Sequence, residues 1–151
     1  MSDFTVRRAT TTDLPELLEI EAEAFPALGY NLTTFRQLLE LAGPYFRVAV
    51  ADRVIGYLVG AWSHEPRVAW LLSAAVRASD RKRGVARALT GAVIDEFRSA
   101  GAVEFWGTVA NRESVARRLW RQVGFEDVRV EADYFGPNED RVILRLRVPQ
   151  S

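Results

Sequence analysis

Four basic side chains, Arg81, Lys82, Arg83 and Arg87, surround Gly84 in the stretch SDRKRGVARALTGAV, Ser79 to Val93. The first N–H groups of a helix lack partners within it and carry the positive end of its dipole, so a basic turn entering a helix suits an anion. Gly84 and Ala86 add no bulk that would hold a phosphate oxygen off the backbone, and Arg81, Lys82 and Arg83 could add charge-assisted contacts. A solvated turn ahead of a capped helix accounts for the same residues. A Walker loop is excluded, since no G-x-x-x-x-G-K-[ST] occurs, and the dinucleotide-binding G-x-G-x-x-G is absent as well. Nucleic-acid binding would want a broad basic stripe with interleaved aromatics. Basic and acidic residues instead balance at 20 each, so no nucleic-acid partner is expected and any basic site must be local.

The chain has no cysteine, which removes disulfides, thiolate metal ligands and a cysteine nucleophile. The lone histidine, His64, cannot build a multi-histidine centre, so no metal is expected. No apolar run nears the ~20 residues of a membrane span. The N-terminal MSDFTVRRAT lacks the basic-then-apolar pattern of a secretion signal, and a cytoplasmic protein without membrane contact is expected. At 151 residues a single domain over 1–151 is expected, large enough to bury a sizeable core.

The elements that must position the basic turn follow from hydrophobic period. Phe4 to Ala9 reads as a first strand. TTTDLPELLEIEAEAF reads as a helix capped by Thr12 or Asp13, with Leu14, Leu17, Leu18 and Phe25 as its apolar stripe. A second helix runs from about Thr33 to Ala42 and stops at Gly43-Pro44. Two apolar runs joined at Asp52-Arg53 read as an antiparallel hairpin, and Arg67 to Val76 as a central strand covered on both faces. The helix after Gly84 carries Val85, Leu89, Val93 and Phe97 at four-residue spacing and closes at Gly101. Val103–Val109 is a strand, and SVARRLWRQVGF is a helix with Val115, Leu119 and Val123 on one face. FEDVRVEADYF and DRVILRLRV close the chain as strands around GPNED. The order β-α-α-β-β-β-α-β-α-β-β predicts a three-layer α/β domain with a mixed sheet.

The basic turn, read as Arg81-Lys82-Arg83-Gly84-Val85-Ala86, resembles the [QR]-x-x-G-x-[GA] acetyl-CoA motif of the Gcn5-related N-acetyltransferase (GNAT) superfamily. Ala74-Ala75-Val76 resembles the small-apolar-Val strand end eight residues upstream of that glycine, and RLWRQVGF, Arg118 to Phe125, resembles the later [LY]-Y-x-x-x-G-F. The element order is similar from about Phe4 to Val148. The resemblance implies the GNAT fold, an α/β/α arrangement whose mostly antiparallel sheet splays between the fourth and fifth strands. It implies that Arg81–Ala86 and Arg87 hold the CoA pyrophosphate, with Leu72–Val76, including Ala74 and Ala75, pairing with the pantetheine arm. A backbone N–H near Val76 would then face the thioester oxygen as an oxyanion donor. Two segments also resemble the protein N-terminal acetyltransferases, including those acting on a ribosomal protein's N-terminal alanine. These are AFPALGY, with Phe25 and Tyr30, and ADYFGPNEDRVILRL, with Tyr134-Phe135. In that group the two loops clamp the acceptor peptide.

Three positions depart from the family. Thr108 stands where those enzymes carry a glutamate base, and Trp120 where they carry a tyrosine acid. The usual CoA-contacting asparagine falls on Glu113, with Asn111 two residues earlier. A tryptophan N–H cannot protonate sulfur at neutral pH. Catalysis survives this on magnitudes: a thiol of pKa ~8.5 leaves tolerably as thiolate, and an α-amine of pKa about 8 is roughly one-tenth neutral at pH 7. A lysine amine at ~10.4 would be neutral less than ~0.1% of the time and would need a real base, so the acceptor leans away from lysine.

The candidate catalytic residues are therefore Val76, Thr108 and Tyr134, and the candidate cofactor residues Ala74 to Val76, Arg81 to Arg87 and Asn111. Phe25, Tyr30, Trp62 and Tyr134 are candidates for the acceptor. His64, Glu65 and Glu104 are further carboxylate or imidazole candidates whose bland reading is a solvated surface. Arg112, Arg117, Arg118 and Arg121 read as a wet helix face from which one could reach the CoA 3′-phosphate. The expected activity is acetyl transfer from acetyl-CoA to a primary amine, a peptide N-terminus or a small molecule, by direct attack. A CoA-binding regulatory module that has lost its chemistry is the alternative, and the acceptor, the acyl length and a homodimer stay open.

Overall fold

The computed structural model describes residues 3–111 and 114–149. Strands and helices follow in the order β1 (Thr5–Arg8), α1 (Leu14–Ala24), α2 (Leu32–Ala42), β2 (Phe46–Val50), β3 (Val54–Trp62), β4 (Val68–Val76), α3 (Val85–Ser99), β5 (Glu104–Val109), α4 (Val115–Val123), β6 (Glu126–Glu131) and β7 (Arg141–Arg147). This is the order the hydrophobic periods predict. The strands form one mixed sheet, β1-β2-β3-β4-β5-β7-β6. β4 and β5 are parallel because α3 carries the chain between them; the pairs β1–β2, β2–β3, β5–β7 and β6–β7 are antiparallel. Among the described residues no helix is long and apolar enough to cross a membrane.

Contacts divide the chain into two compact units, and β4 passes from one to the other. The first comprises Met1–Ala61 and Ser73–Ala100. Side chains of a strand alternate between faces, and β3 uses that alternation fully. Tyr57 and Val59 join Leu17 and Ile20 of α1, Phe35 of α2, Phe46 and Val48 of β2 and Ala75 of β4 in one buried cluster. Gly56, on the opposite face, meets Val85 of α3. The four-residue stripe of α3 is buried as expected, and Phe97 stacks on Tyr45 at 3.7 Å between ring centroids. Asp13 holds the N-cap position of α1, one of the two residues expected there. A 3₁₀ turn at Thr11–Asp13 leads into it, and Thr10, at the cap of that turn, donates its N–H to the Asp13 carboxylate at 2.8 Å. Asp13 also takes both guanidinium nitrogens of Arg7 at 2.9 Å. Asn31 caps α2 by accepting the Thr34 N–H at 2.9 Å.

The second unit comprises Trp62–Leu72 and Gly101–Ser151. The β4–β5 ladder runs only from Val68↔Glu104 to Leu71↔Gly107, and β4 continues to Val76 beyond it. β4 is accordingly less covered than a fully buried central strand: Leu72 is 40% exposed and Ser73 and Ala74 are half-buried. The buried face of α4 also differs from its valine spacing. Val115 is 67% exposed, while Trp120 is buried, stacked on Phe125 at 5.3 Å. β6 ends at Glu131, so Ala132–Phe135 belong to the connection before β7 and not to the strand.

Candidate active site

The β4–α3 turn is held in place by side chains that point away from it. Arg77, 8% exposed, donates from Nε to the Val54 carbonyl at 2.7 Å and pairs with Glu16 and Glu19 of α1 at 3.4 and 2.9 Å. The Ala78 N–H donates to Glu23 at 2.7 Å. Further along, buried Asp80 accepts from Arg83 at 2.5 Å, and Arg83 also pairs with Asp3. That partnership holds the Arg83 guanidinium firmly protonated and leaves Arg81 and Lys82 as the exposed cations of the turn. Lys82 and Gly84 take left-handed backbone angles, φ +65° and +81°.

Gly84 caps α3, its carbonyl accepting the Ala88 N–H at 3.0 Å, so the N–H groups of Val85 to Arg87 start the helix. A Cβ built on Gly84 would meet nothing within 4 Å. The glycine is therefore required by its backbone angle and faces open space at the positive end of a 15-residue helix. Val85 itself is 2% exposed and sits close to the sheet because Gly56 allows it: a Cβ there would lie 3.0 Å from Val85 Cγ1, 3.1 Å from the Ala75 carbonyl and 3.3 Å from Val76 Cγ2. Gly56 thus draws the helix start against the Ala75–Val76 end of β4. Small Ala86 lies beside this helix start, and Arg81, Lys82 and Arg87 are exposed around it, the set of groups that could hold an anion.

Within the same unit, Phe25 and Tyr30 belong to a tight loop closing α1. The Phe25 N–H donates to the Glu21 carbonyl at 2.8 Å and the Gly29 N–H to the Phe25 carbonyl at 2.9 Å. A Cβ on Gly29 would lie 2.7 Å from that Phe25 oxygen and 2.9 Å from Glu21 Cγ, so only glycine closes the loop this tightly. Leu18, Glu21, Ala22, Phe25, Gly29 and Tyr30 help line a cavity of about 320 Å³. Glu21 is 2% exposed. One of its carboxylate oxygens accepts the Tyr30 N–H at 2.9 Å, the other the Tyr57 hydroxyl. The Tyr57 oxygen lies 2.7 Å from Ser73 Oγ on β4. Burial pushes the Glu21 carboxyl above its usual range, against the pull of its two donors. Burial, together with the Glu21 charge, pushes Tyr57 and Tyr30 well into their neutral forms.

The remaining candidates lie in the second unit. Thr108 is half-buried on β5 opposite Ile143 of β7. Trp120 is buried and packs on Gly107, where a Cβ would come within 2.7 Å of the indole ring. Glu104 is engaged, accepting from Trp106 Nε1 at 2.8 Å and Arg147 at 3.3 Å. Asn111 is exposed, and its carbonyl accepts the Ser114 N–H. Arg117 is clamped on Asp127 at 2.6 Å. Tyr134 is half-buried and edge-on to Phe135, Trp62 is 40% exposed at the end of β3, and His64 and Glu65 are exposed. Arg112 and Glu113 lie outside the described residues.

Glu21, Tyr57, Ser73, Gly56 and Arg77 carry no motif. Only Glu21 leaves a trace in the sequence: it falls three residues after Leu18, four after Leu17 and four before Phe25, a carboxylate in the middle of an apolar stripe.

The sequence pattern of the acetyltransferase (GNAT) family matches residues 14–125. The [ribosomal protein bS18]-alanine N-acetyltransferase of Salmonella typhimurium is 27% identical, the match covering 95% of this chain and 97% of that protein. Among solved structures, Ard1 from Thermoplasma volcanium superposes with a TM-score of 0.88 at 22% identity, over 98% and 99% of the two chains. A chain of the NatC complex bound to Gag peptide and CoA gives 0.86 at 17% identity, over 99% of this chain and all of that one. The chain belongs to the acetyltransferase (GNAT) family and is an N-acetyltransferase.

Proposed function

We propose that this N-acetyltransferase takes its acetyl group from acetyl-CoA and delivers it to the free α-amine of a protein N-terminus, with alanine among the first residues it accepts. The observation that carries the donor half is Gly84, a left-handed glycine with open space beyond it at the start of α3. The names of the bS18-alanine enzyme and of the NatC structure with peptide and CoA support the acceptor half. The cavity beside Phe25 and Tyr30 gives a first residue somewhere to sit.

Acetyl-CoA supplies a thioester already activated for acyl transfer. The backbone of Val85 to Arg87, with Arg81 and Lys82, binds and orients its diphosphate. β4 beyond Leu71 offers an unladdered edge to the pantetheine arm, and the Val76 N–H stabilises the oxygen that gains charge as the amine attacks. Thr108, Asn111, Trp62 and Tyr134 remain candidates for second contacts to the two substrates.

Thiol release from acetyl-CoA, followed with peptides of varied first residue, small polyamines and a lysine peptide with a blocked N-terminus, tests the proposal. Turnover is expected with unblocked peptides and not with the blocked one. Turnover confined to polyamines or other small amines would overturn the peptide reading and leave a small-molecule acetyltransferase.

A further inference from the structure

With Thr108 and Trp120 in the places of the family's base and acid, the acceptor's proton needs another destination. An α-amine is roughly nine-tenths ammonium at pH 7, so each turnover begins by removing one proton. Tyr57 has a single hydroxyl hydrogen, and it is donated to Glu21. The 2.7 Å contact between Tyr57 and Ser73 must then be donated by Ser73. Every hydrogen in the chain Ser73–Tyr57–Glu21 points toward the carboxylate. The lone pairs of Ser73 Oγ accept no other hydrogen bond among the described residues, and the side chain is half-buried on the part of β4 beyond the β5 ladder.

We propose that Ser73, Tyr57 and Glu21 form a proton relay in which Ser73 Oγ accepts a proton from the acceptor ammonium and Glu21 stores it. The inference rests on the acetyl-CoA and α-amine reading above. One ammonium N–H bond breaks and its proton binds Ser73 Oγ, while the Ser73 proton passes to Tyr57 and the Tyr57 proton to Glu21. The nitrogen lone pair so freed attacks the thioester carbon. As the C–S bond breaks, the second proton lost by that nitrogen goes to the CoA thiolate. The proton on Glu21 returns to solvent by the reverse path.

The surroundings of Glu21 fit a proton store. The groups hydrogen-bonded to Glu21 are the Tyr30 N–H and the Tyr57 hydroxyl, both neutral, so among the described residues no cation pins the carboxylate in its ionised form. Phe35 of α2 and Phe46 of β2, packed on Tyr57, do not titrate. The other α1 glutamates are occupied elsewhere, Glu16 and Glu19 with Arg77 and Glu23 with the Ala78 N–H. Burial raises the proton affinity of Glu21 toward that of the amine it must serve. A structural buried carboxylate would more simply have been matched with an arginine, as Asp13 is with Arg7.

The test compares the parent with Ser73→Ala, Tyr57→Phe and Glu21→Gln, using acetyl-CoA and an alanine-initiated peptide between pH 6 and 9. Parent turnover with the peptide establishes the reading on which the relay rests; without it, that reading fails first. The relay predicts kcat losses of roughly 10- to 100-fold near pH 6.5, with the acetyl-CoA KM held. It also predicts that the losses shrink as pH passes the amine's own pKa of ~8, where bulk solvent removes the proton. The same peptide bearing an N-terminal aminooxy group, neutral throughout this range, should be acetylated at nearly parental rate by all three variants. Ser73→Ala alters the least packed member and keeps the test open if the buried changes impair folding. A deficit equal at every pH and for both nucleophiles, or no deficit, overturns the relay.

Discussion

The β4–α3 turn and the α1–α2 loop face opposite electrostatic problems within one unit of the protein. The turn gathers cations at the surface, Arg81 and Lys82, beside the backbone N–H groups that start α3. The loop closes over an anion, Glu21, that is buried and hydrogen-bonded by neutral groups. Each depends on a glycine, for different reasons. Gly84 is needed for a left-handed angle and open space, Gly29 because the Phe25 carbonyl and Glu21 leave no room for a Cβ. A site made of backbone can be exposed and still specific, since its donors are fixed by the helix. A site made of side chains must be buried and packed to hold its geometry, and β3 serves both with adjacent residues, Gly56 toward α3 and Tyr57 toward α1.

The comparison breaks most sharply at Gly84. Gly84→Glu places a carboxylate against the diphosphate and forces a side chain into a left-handed angle, so acetyl-CoA affinity should fall by roughly 100-fold or more. The stabilisation of melting by acetyl-CoA should disappear with it. Gly84→Ala adds only the backbone strain, about 1–2 kcal/mol, and should lose roughly tenfold. Equal affinities for parent and Gly84→Glu in a calorimetric titration would remove the turn from the cofactor site.

Gly56 tests whether the turn depends on its neighbours. Gly56→Val pushes against Val85 and the Ala75 carbonyl, an overpacking that costs about 1–3 kcal/mol, part of it in displacement of the α3 start. Acetyl-CoA binding should weaken roughly tenfold, with the lost affinity appearing as faster dissociation in a stopped-flow displacement. Unaltered binding would show that the helix start does not need this close contact. A smaller effect is expected from Tyr134→Phe, which should slow turnover a few-fold more than it weakens acetyl-CoA binding. Unchanged rates would exclude Tyr134 from the reaction.

The same contrast explains what could be read in the sequence. The turn is contiguous, and its chemistry is the spacing of small and basic residues, so Arg81–Ala86 pointed to an anion and then to a family. Alternation and four-residue stripes fixed the element order. Tyr57, Ser73 and Glu21 are 16, 52 and 36 positions apart pairwise and meet only because β3, β4 and α1 pack together, so no local pattern announces them. Arg83 stands in the same basic run, and its pairing with Asp80 and Asp3 is a feature that the run does not announce. Spacing assigns Val115 to a buried face, whereas Val115 is exposed and the buried residue of α4 is Trp120.

The smallest expected effect separates two carboxylates carried close together in sequence at the start and end of the first helix region. Burial alone would raise the pKa of Asp13, but Arg7 and the Thr10 N–H overcome it and hold the carboxyl below its usual range. Its contribution to stability is therefore present above the ordinary carboxylate pKa and lost as pH falls through the depressed folded value. Glu21 has the opposite sign. Its folded pKa is raised, so its contribution is fully present below the unfolded value and is lost as pH rises through the folded one. Asp13→Asn should lower Tm at pH 7 by roughly 2–8 °C, and the difference from the parent should narrow toward pH 3. Glu21→Gln removes an unfavourably buried charge and one acceptor together, so its Tm relative to the parent should improve as pH rises from 4 to 8. Calorimetric scans across that range decide the matter. Parallel pH trends in the two variants would mean that Glu21 is held as an ordinary ion pair, and its distinction from Asp13 would collapse.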